Sequence, residues 1–340
     1  MKKGIAYLLT LISLALLTSC GESRRTFLLE GTFKGFNQGE LYICDLNGGS
    51  PLDTVAVVKS QFRYEIAIED STAFIVIFPN FSEVPVYGEP GATVTIEGDV
   101  SHLREIEVEG TDENEVMTKY RKKTSQQTPP EVALSTEQFI KDNPASPFAL
   151  YLIRKVFIQS SQPDYKRAAD LMALVIQANP STSDELKAQM KQMEGISYLK
   201  DGGRLPSFTV TDINGETVKS ADLNAKVNVI TVWNTDNYEG MGILRQLQKK
   251  QNDVGDDLKI LTICMEADLK ACRLRLERDS ITWHTICDPR LWNTPIIQQI
   301  GLSYIPDNIL IDDKGKIIAH SLSQEELMKR IEKLLPKKEE

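Results

Sequence analysis

Sulfur is the reactive chemistry this sequence offers, and its spacing withholds the usual form of it. The 340-residue chain has five cysteines: Cys20, Cys44, Cys264, Cys272 and Cys287. No two stand as Cys-x-x-Cys, the spacing that sets an attacking thiolate beside a resolving thiol. Cys264 falls near the end of a largely apolar stretch, Leu258–Met265, that reads as a buried strand. Cys272 follows on the next helical stretch, and Cys287 is expected in a loop after Trp283-His284-Thr285-Ile286. A Cys264–Cys272 or Cys264–Cys287 disulfide is conceivable in that arrangement. Buried, unpaired thiols acting as small hydrophobes are the plainer reading. His284 offers Cys287 a base, or is simply a packed loop residue. With three histidines in all, none spaced with cysteine as ligands, neither a metal nor any other cofactor is expected.

The first cysteine belongs to different chemistry. Met1-Lys2-Lys3 precedes an apolar run from Ile5 to Leu17, and Thr18-Ser19-Cys20 closes it. This is the basic, apolar and small-residue order of an export leader over residues 1–19, too short to span a bilayer comfortably. Leu16-Leu17-Thr18-Ser19-Cys20 resembles the lipobox of bacterial lipoproteins. The resemblance implies cleavage before Cys20, a diacylglycerol on its thiol and palmitate-type acylation of the new amino terminus. More than one acyl chain gives stable anchoring. Gly21 rather than Asp follows Cys20, which in that family favours the outer membrane. The membrane face stays open.

Loss of Lys2 and Lys3 with the leader takes the formal charge from −9 to −11. So acidic a chain has no electrostatic footprint for nucleic acid and no polybasic patch for a membrane surface. The lipid does the tethering. A mature chain of about 320 residues fits two or more domains.

The elements that must position the thiols come last in the chain. After a tether over 20–25, residues 26–111 read as short strands divided by turns, the pattern of an antiparallel β-sandwich or barrel. Gln61-Phe62-Arg63-Tyr64-Glu65-Ile66-Ala67-Ile68 alternates as a half-buried strand should. Residues 112–200 change to helical periodicity, with expected helices at Phe148–Ile158, Tyr165–Ala178 and Ser183–Met193, and read as a spacer. From 201 to 340 strand and helix alternate, the mark of an α/β domain, giving an α+β chain overall.

Two family resemblances follow from particular residues. Leu29-Glu30-Gly31-Thr32-Phe33, Asp53-Thr54-Val55 and Gly88-Glu89-Pro90-Gly91-Ala92-Thr93-Val94-Thr95-Ile96-Glu97-Gly98 resemble a domain of unknown function in exported lipoproteins of Gram-negative bacteria. It typically precedes a thioredoxin-like domain. Leu205-Pro206-Ser207-Phe208, Asp212-Ile213-Asn214-Gly215, Val232-Trp233, Ile305-Pro306 and Leu310-Ile311-Asp312-Asp313-Lys314-Gly315 resemble the thioredoxin-like domain of thiol–disulfide oxidoreductases and peroxiredoxins.

In that family a Trp-Cys-x-x-Cys loop opens a helix whose N-terminus lowers the nucleophile's pKa. Here the loop reads Trp233-Asn234-Thr235-Asp236-Asn237-Tyr238-Glu239-Gly240. Asn237 takes the nucleophile's place and Gly240 the resolving one; neither forms a thiolate. Asp236 and Glu239 suit the helix end as capping groups. Pro306 matches the family's proline facing this loop, with an expected cis Ile305–Pro306 bond.

The resulting expectation is a redox-inactive pseudoenzyme of the cell envelope, retained as a binding or assembly module for a protein or peptide. Two alternatives stand beside it. One is a divergent oxidoreductase using Cys264, Cys272 or Cys287. The other is a glycan- or peptide-binding accessory protein of an outer-membrane uptake system.

Overall fold

The computed structural model describes residues 25–46, 52–160, 163–182, 186–187, 190 and 202–336. The leader, Cys20 and most of the expected helix over 183–193 lie outside the described residues. Among those residues no helix is long and apolar enough to cross a membrane. The chain divides into two compact units that meet in sequence at Tyr151 and Leu152. The helical stretch read as a spacer is therefore shared between them.

The first unit carries strands β1 (Thr26–Lys34), β2 (Gln38–Asp45), β3 (Asp53–Val58), β4 (Gln61–Ala67), β5 (Thr72–Ile77), β6 (Glu83–Gly88), β7 (Thr93–Asp99) and β8 (Glu107–Glu109). They form one sheet in the order β6-β5-β2-β3-β4-β1-β7-β8. All pairs are antiparallel except β1 with β7, which run parallel. Three strands separate β1 from β5 in that order, yet Phe27 of β1 stacks on Phe74 of β5 with ring centroids 5.4 Å apart. The sheet therefore curls into a barrel-like shell around Phe27, Leu29, Phe33, Leu41 and Ile96, all fully buried. Two glycines make the close approaches. A Cβ on Gly31 would come within 2.5 Å of Ile96 and Phe62, and one on Gly88 would meet Phe74 and Phe27. Cys44 lies on β2, half-buried.

Helices α1 (Asp112–Thr124) and α2 (Pro129–Asp142) follow. Thr111 caps α1 by accepting from the Asn114 N–H at 3.3 Å. The Asn114 amide then pairs with both backbone groups of Tyr87, at 2.7 and 2.9 Å. The Tyr120 and Thr136 hydroxyls bond at 2.5 Å, joining α2 to α1. These contacts make both helices part of the first unit.

The second unit begins in the helical run made by Ala149–Ile153 and Arg154–Ile158, continues through α3 (Tyr165–Ala178) and then alternates strand and helix. A hairpin, β9 (Thr209–Thr211) and β10 (Thr217–Lys219), turns through Gly215, whose φ of +86° suits glycine. Strands β11 (Val227–Trp233), β12 (Leu258–Cys264), β13 (Thr285–Cys287), β14 (Asp307–Asp312) and β15 (Ile317–His320) make a sheet ordered β13-β12-β11-β14-β15. β11, β12 and β13 are parallel; β14 and β15 are antiparallel to their neighbours. Helices α4 (Tyr238–Val254), α5 (Leu269–Arg278), α6 (Pro295–Ile300) and α7 (Gln324–Leu334) complete a thioredoxin-like α/β layering.

Every residue of β11 is buried, as a central parallel strand requires. Its polar members are satisfied. Asn228 bonds both backbone groups of Ala225, and the Thr231 hydroxyl donates to the Asp307 carbonyl at 3.0 Å. Ile243 and Leu247 of α4 and Leu327 and Ile331 of α7 pack with Val227, Val229, Leu258 and Ile260. The Lys250 ammonium, almost wholly buried, reaches Glu332 at 2.5 Å.

Candidate functional site

The C-terminal ends of β11, β12 and β13 lie side by side, because Trp233 is the register partner of Cys264 and Cys264 that of Cys287. The loop after β11 leads into α4. Asn237 has the extended backbone of an N-cap, φ −88° and ψ 105°, and its Oδ1 accepts from the Gly240 N–H at 2.6 Å. The cap is therefore Asn237. Asp236 and Glu239, expected from the sequence as capping groups, do not fill it. Asparagine at this position takes up an N–H the helix itself leaves unpaired. Glu239 lies in the first turn, where its charge suits the helix dipole.

Gly240 sits close against the preceding strand end. A Cβ there would stand 3.2 Å from both the Trp233 Cβ and the Asn237 Oδ1. Trp233 is fully buried, and its indole N–H has no hydrogen-bond partner among the described residues. Tyr238, one residue past the cap, is 91% exposed.

The Ile305–Pro306 peptide bond is cis. Next to it, Tyr304 has its phenol pushed up to about 12, first by burial, then by the charge of Asp307, with a smaller push from Glu239. Val232 is the register partner of Asp307, which sets the Tyr304–Pro306 loop beside the end of β11 that leads into α4. Asp307 is fully buried and accepts from the Ser303 N–H at 3.1 Å and the Asn308 N–H at 2.8 Å. Burial raises its carboxyl despite those bonds and the nearby His320.

The structure brings Cys264, Cys272 and Cys287 together, with every sulfur within 4.8 Å of the other two. Cys287 is the last residue of β13 rather than part of a loop. Three residues are too short a strand for any periodic signal. Cys272 reaches the group from the first turn of α5. Cys264 and Cys272 are fully buried and Cys287 only partly so; all three are unpaired. Trp233, Met241, Leu244, Leu276 and Ile281 pack around them.

Thiol donation toward Cys287 from Cys264 and Cys272 lowers its pKa to about 4, against the opposing effect of burial. Burial comes first in raising Cys264. Cys272 is drawn down by Cys264 but pushed up further by Cys287 and by burial. When it holds its proton, the Cys287 thiol can instead donate to the Glu266 carbonyl at 3.5 Å.

Glu266 joins the two places, and nothing in the sequence had marked it. Its Oε2 accepts the Thr235 hydroxyl at 2.6 Å, and burial raises its pKa, opposed by that bond and aided by Asp236 and Cys287. His284 is engaged elsewhere: its Nδ1 lies 2.8 Å from Asp212 Oδ2 and 3.7 Å from Glu216 Oε2. Asp212 also accepts from the Asn214 and Glu216 N–H groups of the β9–β10 turn. His284 is thus a turn-bracing partner and half-exposed, not a base held on Cys287.

Residues 27–117 match a family described as a domain of unknown function, DUF4369. No curated protein matches the chain. Among solved structures, the C-terminal domain of a protein described as a thiol-disulfide oxidoreductase from Bacteroides thetaiotaomicron is 28% identical, with a TM-score of 0.36 over 41% of this chain and 97% of that one. A thiol-disulfide oxidoreductase from Bacteroides fragilis is 23% identical, with a TM-score of 0.35 over 39% of this chain and 99% of that one. A thioredoxin-like protein from Bacteroides caccae is 15% identical, with a TM-score of 0.38 over 58% of this chain and 76% of that one. Residues 27–117 thus resemble DUF4369, and the part of the chain after them is similar to domains described as belonging to thiol-disulfide oxidoreductases.

Proposed function

We propose that this chain is a lipid-anchored protein of the cell envelope, and that its thioredoxin-like unit binds an extended polypeptide segment instead of exchanging disulfides. The carrying observation is the 2.6 Å bond from the Gly240 N–H to the Asn237 side chain. It occupies the helix end that would otherwise stabilise a thiolate. An amide there neither attacks a disulfide nor resolves one.

The surface around that cap suits binding. Exposed Tyr238 offers a large aromatic face with a polar tip, a residue type enriched in recognition surfaces. The Tyr304–Pro306 loop lies beside the strand end that leads into α4, so a strand-like segment would run between that loop and the cap. Burial of Cys264 and Cys272 leaves Cys287 alone partly accessible, which supports a binding role over exchange with a protein disulfide. Anchoring through Cys20 would hold this surface at the outer membrane.

The test places a photo-crosslinking amino acid at Tyr238 of the full chain in its native envelope. The same probe at exposed Val58 of β3 is the control. Discrete protein adducts from position 238 and none from position 58 are expected. Equal labelling from both positions contradicts the proposal.

A further inference from the structure

We propose that Cys264, Cys272 and Cys287 form a three-sulfur binding site for a thiophilic d10 metal ion of the monovalent copper class. The inference goes beyond the peptide-binding reading and does not depend on it.

The geometry comes first. Three separate elements, β12, α5 and β13, each deliver one sulfur to one point. A trigonal thiolate site with metal–sulfur bonds of about 2.3 Å has its sulfurs about 4 Å apart. The trio already lies within 4.8 Å on every edge, so seating an ion needs shifts of under an ångström. Two cysteines suffice for a disulfide. A third one converging on the same point has no use in that chemistry.

The donor set then selects the ion. Among the described residues no further histidine, cysteine or carboxylate oxygen shares the trio's mutual range. The nearest acid, Glu266, is committed to the Thr235 hydroxyl. Structural zinc takes four ligands in a tetrahedron, whereas soft thiolates without oxygen or nitrogen partners select copper(I). Trp233, Met241, Leu244 and Leu276 pack around the sulfurs and leave little room for a water ligand. Partly exposed Cys287 supplies the entrance. Burial of the other two sulfurs admits a small ion but not the disulfide of a protein substrate.

Binding involves no change of oxidation state. Each metal–sulfur bond is made by a sulfur lone pair: a sulfur that still carries its proton releases it to solvent, and one already deprotonated releases none.

The test titrates the detergent-solubilised full chain with copper(I), anaerobically and against a chromophoric cuprous chelator. The wild type is expected to withhold one equivalent from the chelator. The Cys264→Ser/Cys272→Ser/Cys287→Ser variant should withhold none. Cys287→Ser alone, at the least buried position, should also lose the ion while keeping the wild-type circular dichroism. Bound copper should protect all three thiols from alkylation, read by peptide mass spectrometry. Equal retention by wild type and both variants would place the ion on Cys44 or elsewhere and overturn the proposal. No retention by the wild type, retention of zinc(II) but not copper(I), or a disulfide linking two of the three cysteines in the isolated chain would each overturn it too.

Discussion

The start of α4 and the ends of β12 and β13 are neighbours with opposite chemistry. At α4 the fold supplies a helix N-terminus, the device that activates a thiolate, and the sequence fills it with Asn237 and Gly240. At the ends of β12 and β13 the sequence supplies two thiols, a third joins them from the first turn of α5, and two of the three are fully buried. Trp233 and Glu266 stand between: Trp233 pairs in register with Cys264, and Glu266 accepts from Thr235 while its carbonyl faces Cys287. The helix end that follows Trp233 carries no sulfur, and the sulfurs gather on the neighbouring strands and α5 instead. An intact scaffold therefore says little about activity until the reactive atoms are located on it.

Reuniting the two should have the largest effect. Asn237→Cys with Gly240→Cys restores a nucleophile and a resolving thiol at the helix end, and disulfide reductase activity should appear where the wild type has none. The gain comes with the loss of the cap, about 1 kcal/mol of stability, and a shift of Trp233 to admit the new Cβ. Insulin reduction and thermal unfolding check the two halves. If the double variant stays inert while folded, the helix end is not the missing ingredient.

Trp233→Ala removes the fully buried side chain that both places share. It should destabilise the second unit by about 3–5 kcal/mol, read by denaturant unfolding, and should make Cys264 and Cys272 available to alkylation. A loss below 1 kcal/mol would mean that the two places are not built on a common core.

Glu266 gives a pH dependence whose sign follows from its raised pKa. A carboxyl raised in the folded state holds its proton above the pH at which the unfolded chain releases it. Its contribution therefore falls as pH rises from the ordinary carboxylate range through the folded value. Glu266→Gln keeps an acceptor for Thr235 and removes the buried charge. It should raise the melting temperature at pH 7 and leave it unchanged at pH 3. A variant less stable at both pH values would show that the carboxylate is needed as a charge.

The smallest effect on stability belongs to Tyr238→Ala. The side chain is 91% exposed, so the unfolding free energy should move by less than about 0.5 kcal/mol. Partner capture should nonetheless fall. A variant that captures partners as well as the wild type would remove Tyr238 from the binding surface.

Much of this contrast is legible in the sequence, but only one side of it. The Val- and Ile-rich pattern of Val227–Trp233, ending in Val232-Trp233, marks the central strand, and Asn237 and Gly240 can be counted from there. The alternation through Phe62, Tyr64 and Ile66 likewise marks β4. The thiol cluster is illegible for a physical reason. Cys264, Cys272 and Cys287 are eight and fifteen positions apart in sequence. They meet because a strand–helix–strand crossover returns α5 over the ends of two parallel strands. One of those strands, β13, has only three residues, too few for a periodic pattern. The parallel β1–β7 pair in a sheet expected to be antiparallel is hidden similarly, since pairing direction leaves no mark on a strand's own alternation.

The most direct test of the separation is insulin reduction by the purified full chain with dithiothreitol as the electron source. The account predicts no acceleration over dithiothreitol alone, and the same rate for Cys264→Ser, Cys272→Ser and Cys287→Ser variants. An acceleration that persists through repurification and disappears in any one of those variants would contradict it. The thiols at the strand ends would then be a working redox centre.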